Sequence, residues 1–249
     1  MFSYQLYSSR NFPPLAKVLA MVAKTGYDGV EGYGGLYDDS AGLLALAEEL
    51  DANGLAMPSG HFSLEQVEGR PSWVVKVARA LGMQTVVVPW VGQDQRPKDA
   101  SGWRALGARL QWAGAAVRAE GLDFAWHNHD FEFVRMPDGV IPLEALFEGG
   151  PGLKWEMDVA WLIRAGEDPL AWIAAQGHRL VAAHIKDIAA TGRNLREDGW
   201  ADVGHGVVEW PPILAGLRAA GVSNFIIEHD NPSNDARFAR RALVAIKTF

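Results

Sequence analysis

The chain has 249 residues, 49% of them hydrophobic and 21% charged, a balance that argues against disorder and supplies one core of α/β-barrel size. A formal charge of −7 and a pI near 5.5 disfavour a nucleic-acid partner, and no apolar run is long enough to cross a bilayer. With no cysteine, disulfides, thiolate nucleophiles and thiolate metal sites are excluded.

Met1-Phe2-Ser3-Tyr4-Gln5-Leu6 lacks the charged start and long apolar stretch of a secretory signal, so a cytoplasmic location is expected. Strands are predicted at Phe2 to Leu6, Gly29 to Glu31, Leu55 to His61, Thr85 to Trp90, Asp123 to His127, Leu153 to Asp158, Val181 to Lys186 and Asn224 to Glu228. Amphipathic stretches between them read as helices: Pro14 to Lys24, Leu43 to Leu50, Trp73 to Leu81, Trp103 to Ala119 and Pro211 to Ala220, with Ala236 to Lys247 last. Five glycines, Gly26, Gly54, Gly82, Gly121 and Gly221, stand just before the next strand, where a left-handed C-cap is needed.

Eight βα units of about 31 residues each predict one domain over residues 1–249, a (β/α)8 TIM barrel with right-handed crossovers. An open dinucleotide-binding sheet is disfavoured, because no Gly-x-Gly-x-x-Gly turn follows the first strand. The two longest non-periodic loops, Asn128 to Pro142 and Ile188 to Val208, follow strand ends that carry polar residues. In a barrel, such loops build the active-site face.

Strand parity separates two faces in the later half. Trp126, Trp155, Met157, Val181, Ala183, Ile185, Phe225 and Ile227 share a greasy side, while His127, Asp158, His184 and Glu228 share the other. Two imidazoles and two carboxylates form a mixed N/O set suited to Mn²⁺, Co²⁺, Zn²⁺ or Fe²⁺. The competing reading is a polar barrel mouth without metal, but two carboxylates buried together resist joint ionisation unless a cation joins them.

His129, Glu156 and Lys186 have the same parity as their ligand neighbours and are candidates for acid/base work or substrate contact, with a buried ion pair as the equal alternative for Glu156. Glu31 and His61 end earlier strands at the expected substrate rim. Trp90 and Trp161, among ten tryptophans, are candidates to stack on a sugar ring. His205, in Val203-Gly204-His205-Gly206, divides between loop structure and ligand contact, whereas His178 reads as a capping residue and His229 as structural.

These phrases together resemble the xylose isomerase-like TIM barrels, a family of sugar phosphate isomerases and epimerases. The likeness runs through Tyr27-Asp28-Gly29-Val30-Glu31, His127-Asn128-His129-Asp130-Phe131-Glu132-Phe133, Glu156-Met157-Asp158-Val159-Ala160-Trp161, His184-Ile185-Lys186-Asp187, Val203-Gly204-His205-Gly206 and Ile227-Glu228-His229-Asp230-Asn231. The resemblance implies a divalent metal, most often Mn²⁺, at the C-terminal mouth. Asp158, His184 and Glu228 match the metal-ligand pattern directly. His127 stands where the family often has Glu, and Trp161 where many members have His.

In such epimerases, two carboxylates flank a carbon beside a metal-polarised carbonyl and move a proton between its faces. The expected activity is isomerisation or epimerisation of a keto sugar or related polyol through an enediolate-like intermediate. Glu228 is one acid/base, and Glu156, His129 or His127 is the second. Substrate contacts are expected from Glu31, His61, Trp90, Trp161, Lys186 and His205. Because His127 breaks the two-carboxylate symmetry, a lyase or dehydratase of the inosose dehydratase or keto-glycoside type is the runner-up. A non-catalytic sugar-binding module is the third reading. An endonuclease reading is disfavoured by the acidic balance and by too few ligands for a metal cluster. The expected partner is a small carbohydrate, and relatives are often homo-oligomers.

Overall fold

Eight parallel strands close into a barrel in the computed structural model, which describes residues 1–37 and 40–249. They are β1 (Phe2–Gln5), β2 (Gly29–Gly32), β3 (Ala56–His61), β4 (Thr85–Val88), β5 (Asp123–His127), β6 (Lys154–Asp158), β7 (Leu180–Ile185) and, after a two-stranded insertion, β10 (Asn224–Ile227). Each strand pairs with its sequence neighbour, and β10 closes against β1 through Phe2↔Phe225 and Tyr4↔Ile227. All eight predicted barrel strands are present. The five glycines predicted as C-caps all take positive φ, from 64° at Gly54 to 97° at Gly26, a backbone region that favours glycine.

Helices α1 (Leu15–Thr25), α2 (Ser40–Asn53), α10 (Trp210–Ala219) and α11 (Asp235–Ile246) follow the predicted amphipathic stretches, whereas α4 (Pro71–Ala80) follows a short α3 (Leu64–Gly69). The stretch from Trp103 to Ala119 is broken into α5 (Ala100–Ala113) and α6 (Ala115–Ala119). At the break, a Cβ on Gly114 would collide with the Phe124 ring, so the chain turns there and lets β5 approach. Four helices escaped the pattern: α3, α7 (Pro142–Gly149), α8 (Val159–Arg164) and α9 (Pro169–Gln176). Each spans only about two turns, too short for a 3.6-residue period to declare itself.

The greasy parity face packs under the helices. Trp126, Trp155, Met157, Ala183, Ile185 and Ile227 are fully buried, and truncating either tryptophan to Ala would cost about 3–5 kcal/mol. The barrel interior is largely polar, with Val87, Ala125, Ala182 and Ile226 as its apolar members. Ser3, Gln5, Glu31, Ser59, Glu156 and Asn224 are buried there. Ser3 donates to Asn224 at 2.7 Å, Ser59 to Glu31, and Gln5 to Glu31 at 2.6 Å.

The loop from residue 188 to 208 is more ordered than its sequence suggests. Asp187–Ile188 (β8) pairs antiparallel with Trp200–Ala201 (β9). The Asp187 carboxylate gathers the N–H groups of Gly204, Gly206 and Val208 and the Trp210 indole. Gly206 lies so close that a Cβ would run into the Asp187 carboxylate and the Ile188 carbonyl. No helix among the described residues is long and apolar enough to cross a membrane.

Candidate functional site

His127, Asn128 and His129 divide the work at the end of β5. His127 turns into the barrel, and Asn128, of opposite parity, clamps β6. Its Oδ1 accepts from the Asp158 N–H at 3.0 Å and the Trp155 indole at 2.8 Å, while its Nδ2 donates to the Asp158 carbonyl at 3.0 Å. Asp158 is thereby fixed from its own backbone. It also N-caps α8, with Oδ1 accepting from the Trp161 N–H at 2.9 Å. Its other oxygen, Oδ2, is buried without a hydrogen bond.

Asp158, His184 and Glu228 bring ligand atoms within 4.8 Å of one another at the C-terminal mouth. His127 borders this group, with Nε2 3.8 Å from Asp158 Oδ2, and it also belongs to a second cluster with His61, Glu156 and His184. At the centre of that cluster is Glu156 Oε1, which lies 2.8 Å from His61, 3.1 Å from His127 and 3.1 Å from His184. Glu31 Oε2 takes the other contacts, 3.0 Å from His61 and 2.8 Å from His184. His184 Nδ1 points the other way, to Glu228 at 2.8 Å.

Lys186 completes the set although its side chain is 1% exposed. Its ammonium lies 2.8 Å from Asp230, 2.9 Å from Glu228 and 3.2 Å from Asp158 Oδ2, the last off the hydrogen-bonding direction. Burial pushes the Lys186 pKa down, but Asp158, Asp230 and Glu228 outweigh it and hold the ammonium charged. Burial likewise favours a neutral Glu228, yet Lys186 and His184 bring its pKa well below the usual carboxylate range. For His61, Glu31 and Glu156 overcome burial and raise the pKa to about 10. His127 and His129 go the other way, chiefly through burial, and His129 falls to about 3.

The charges show what this donor set can hold. Glu31, Glu156, Asp158 and Glu228 are buried around one lysine, so without a metal even protonated imidazoles at His61 and His184 would offset only two of the three remaining negative charges. Asp158 Oδ2 and Glu156 Oε2 have no hydrogen-bond partner. A divalent cation would use such lone pairs and let the imidazoles act as neutral ligands. The residues therefore fit a metal ion.

A cavity of about 530 Å³ opens above the cluster, with His61, His127, His129, Lys186, Glu228 and Asp230 on its inner wall. Trp90, 53% exposed, stands on its outer wall. Three predicted substrate residues lie elsewhere. Glu31 is fully buried in the barrel, one layer below the mouth. Trp161 stands behind His129 and against Trp200, at ring centroid distances of 5.4 and 4.8 Å. His205 is exposed, because its flanking glycine N–H groups turn inward onto Asp187 and leave its side chain outside. Glu156, proposed from sequence as catalytic, is also fully buried and does not line the cavity.

Sequence reasoning missed Asp230, which extends the inward parity of Glu228 by two residues, and the rim residues Tyr7 and Tyr33. Both tyrosines lie in loops after the C-terminal ends of β1 and β2, the positions from which barrels build their sites. It also missed Glu132, which is buried and accepts from the Trp126 indole at 3.1 Å and the His129 N–H at 2.9 Å. Burial pushes the Glu132 pKa from 4.5 up to about 8. A carboxyl whose pKa rises on folding contributes stability that is full below about pH 4.5 and is lost as pH climbs through about 8. The melting temperature of the wild type relative to Glu132→Gln is therefore expected to fall between about pH 5 and pH 9. A difference that stays constant across calorimetric scans in that range would contradict the raised pKa.

No curated protein matches the chain. Among solved structures, a sugar phosphate isomerase/epimerase from Parabacteroides distasonis is similar at 18% identity, with 99% of this chain and 93% of that chain covered and a TM-score of 0.83. The probable 3-DHS dehydratase AsbF from Bacillus anthracis is similar at 13% identity, with 99% and 98% covered and a TM-score of 0.80. The IOLI protein with a bound zinc atom is similar at 17% identity, with 99% and 95% covered and a TM-score of 0.73. At these identities the likeness speaks for the fold. Residues 19–247 match a single family along nearly the whole barrel, and the chain belongs to the xylose isomerase-like TIM barrels.

Proposed function

We propose that the protein is a divalent-metal-dependent isomerase or epimerase of a keto sugar or related polyol, working by proton transfer through an enediolate-like intermediate. The observation that carries this reading is the convergence of Asp158, His184 and Glu228 within 4.8 Å beside a cavity that also exposes His129. Those three residues, with His127 adjoining, would hold the metal. The mixed imidazole and carboxylate set suits Mn²⁺ first, with Co²⁺, Zn²⁺ or Fe²⁺ as alternatives, and the zinc-bound similar structure supports a transition metal on this fold. When bound, the cation would polarise the substrate carbonyl and acidify the neighbouring C–H.

Glu228, ionised and on the cavity wall, takes the proton from that carbon. His129, on the same cavity wall, is the second proton-transfer group. Lys186 orients Glu228 and offers its ammonium to a substrate oxygen. Glu156 acts from below, holding His61, His127 and His184 in place, the buried ion-pair alternative to a catalytic role.

The second reading is elimination of a β-hydroxyl or alkoxide after one-sided proton abstraction. It is favoured by His127, an imidazole where a second mouth carboxylate would stand, and by the similarity to a probable dehydratase. Incubation of the Mn²⁺-loaded protein with ketoses in D₂O separates the two. Deuterium incorporation without loss of water or alcohol is expected. An unsaturated product would transfer the assignment to a lyase, and absence of exchange with every ketose would remove both in favour of a sugar-binding module.

A further inference from the structure

The cavity is larger than the keto-sugar chemistry needs. Its volume of about 530 Å³ lies well inside the range for sites that enclose a drug-sized ligand, whereas the proton-transfer groups Glu228 and His129 are concentrated at its inner end. The outer wall is aromatic, with Tyr7, Tyr33 and Trp90 around the opening. Tyr7 is 40% and Trp90 53% exposed, so large apolar surfaces face the opening with water against them, a state that favours burial under a ligand.

The platform is held in place before any ligand arrives. Tyr7 and Tyr33 meet edge to face with ring centroids 5.4 Å apart. The Arg10 guanidinium lies 3.9 Å from the centre of the Tyr7 ring, and its Nη1 donates to the carbonyls of Tyr7 and Asp230.

Charge excludes one class of ligand. Lys186 is the single lysine or arginine on the cavity wall among the described residues, and three carboxylates already surround its ammonium. Away from the metal that the mouth residues would hold, a phosphoryl group on the outer ring would find no described lysine or arginine on the wall besides Lys186 and would face Asp230.

We propose that Tyr7, Tyr33 and Trp90 form a subsite for the second ring of an unphosphorylated glycoside, with the reacting, carbonyl-bearing sugar ring against Glu228 and Lys186. This inference rests on the sugar-isomerase reading above and adds the substrate class. The shared chemistry is a flat apolar ring face, supplied either by another sugar or by an aromatic aglycone.

Calorimetric titration of the Mn²⁺-loaded protein with D-glucose, D-glucose 6-phosphate, cellobiose and phenyl β-D-glucopyranoside tests it. At least one two-ring ligand is expected to bind roughly tenfold more tightly than glucose, and the phosphate no more tightly than glucose. Cellobiose alone showing the gain identifies a disaccharide, and the phenyl glucoside alone an aryl aglycone. In Trp90→Ala the ratio of two-ring to one-ring affinity should fall close to one, and Trp90→Phe, which keeps a flat ring, should restore most of it. Equal affinities for glucose and both two-ring ligands, tighter binding of the phosphate, or a ratio unchanged in Trp90→Ala would overturn the subsite alone. Failure of all four ligands, none of which carries a ketone, to bind would overturn the subsite, while the D₂O exchange with ketoses decides the sugar-directed function separately.

Discussion

Glu228→Gln is expected to lower deuterium exchange into a ketose by roughly 10²–10⁴-fold, with substrate still bound. The carboxylate contacts His184 Nδ1 at 2.8 Å and the Lys186 ammonium at 2.9 Å. An amide of the same shape cannot take a proton from carbon, and it directs an NH₂ group toward one of two donors. Asp158→Asn separates the two duties assigned to Glu228, because Asp158 is outside the cavity wall and would serve only the metal. Exchange in Asp158→Asn should recover at high Mn²⁺ concentration, whereas exchange in Glu228→Gln should not. Glu228→Gln retaining activity within about threefold of wild type would remove Glu228 from proton transfer.

Lys186→Met is expected to destabilise the metal-free protein by about 3–5 kcal/mol, because it leaves the buried Asp158 and Glu228, and the half-buried Asp230, without their ammonium. For a chain of this size that corresponds to a fall of roughly 10 °C in melting temperature. Added Mn²⁺ should recover more stability in the variant than in the wild type, since the vacated charge is what a second cation supplies. Thermal unfolding with and without metal measures both effects. A melting temperature within about 2 °C of wild type in both conditions would mean that the three carboxylates do not depend on Lys186.

The barrel was legible in the sequence because two short-range rules agree along most of its length: alternation marks each strand, and a glycine before the next strand marks where each helix stops. The identities of His127, Asp158, His184, Lys186 and Glu228 as inward residues followed from the same alternation. Depth did not. Parity assigns a side chain to the inside of a barrel without saying how far along the axis it lies, and tilted strands stagger residues of equal parity into separate layers. Glu31 consequently reads as a rim residue, although it lies beneath the mouth, fully buried. His205 failed for another reason: which way a loop histidine faces was decided by Asp187, eighteen residues earlier, whose carboxylate draws in the flanking backbone. No local pattern carries that information.

The polar interior of the barrel joins parts of the protein that a hydrocarbon core would keep apart. From His184 a chain of contacts passes through Glu31, Ser59 and Asn224 to Ser3 near the opposite end. Substitutions along this chain should have strongly non-additive effects, since each removes a partner from the next. The side chains of Tyr7, Tyr33 and Trp90 stand outside it, and only the Tyr7 backbone N–H reaches it, through Gln5 to Glu31. Selection acting on this scaffold can therefore exchange the outer wall one residue at a time, while the floor changes only in concert or not at all.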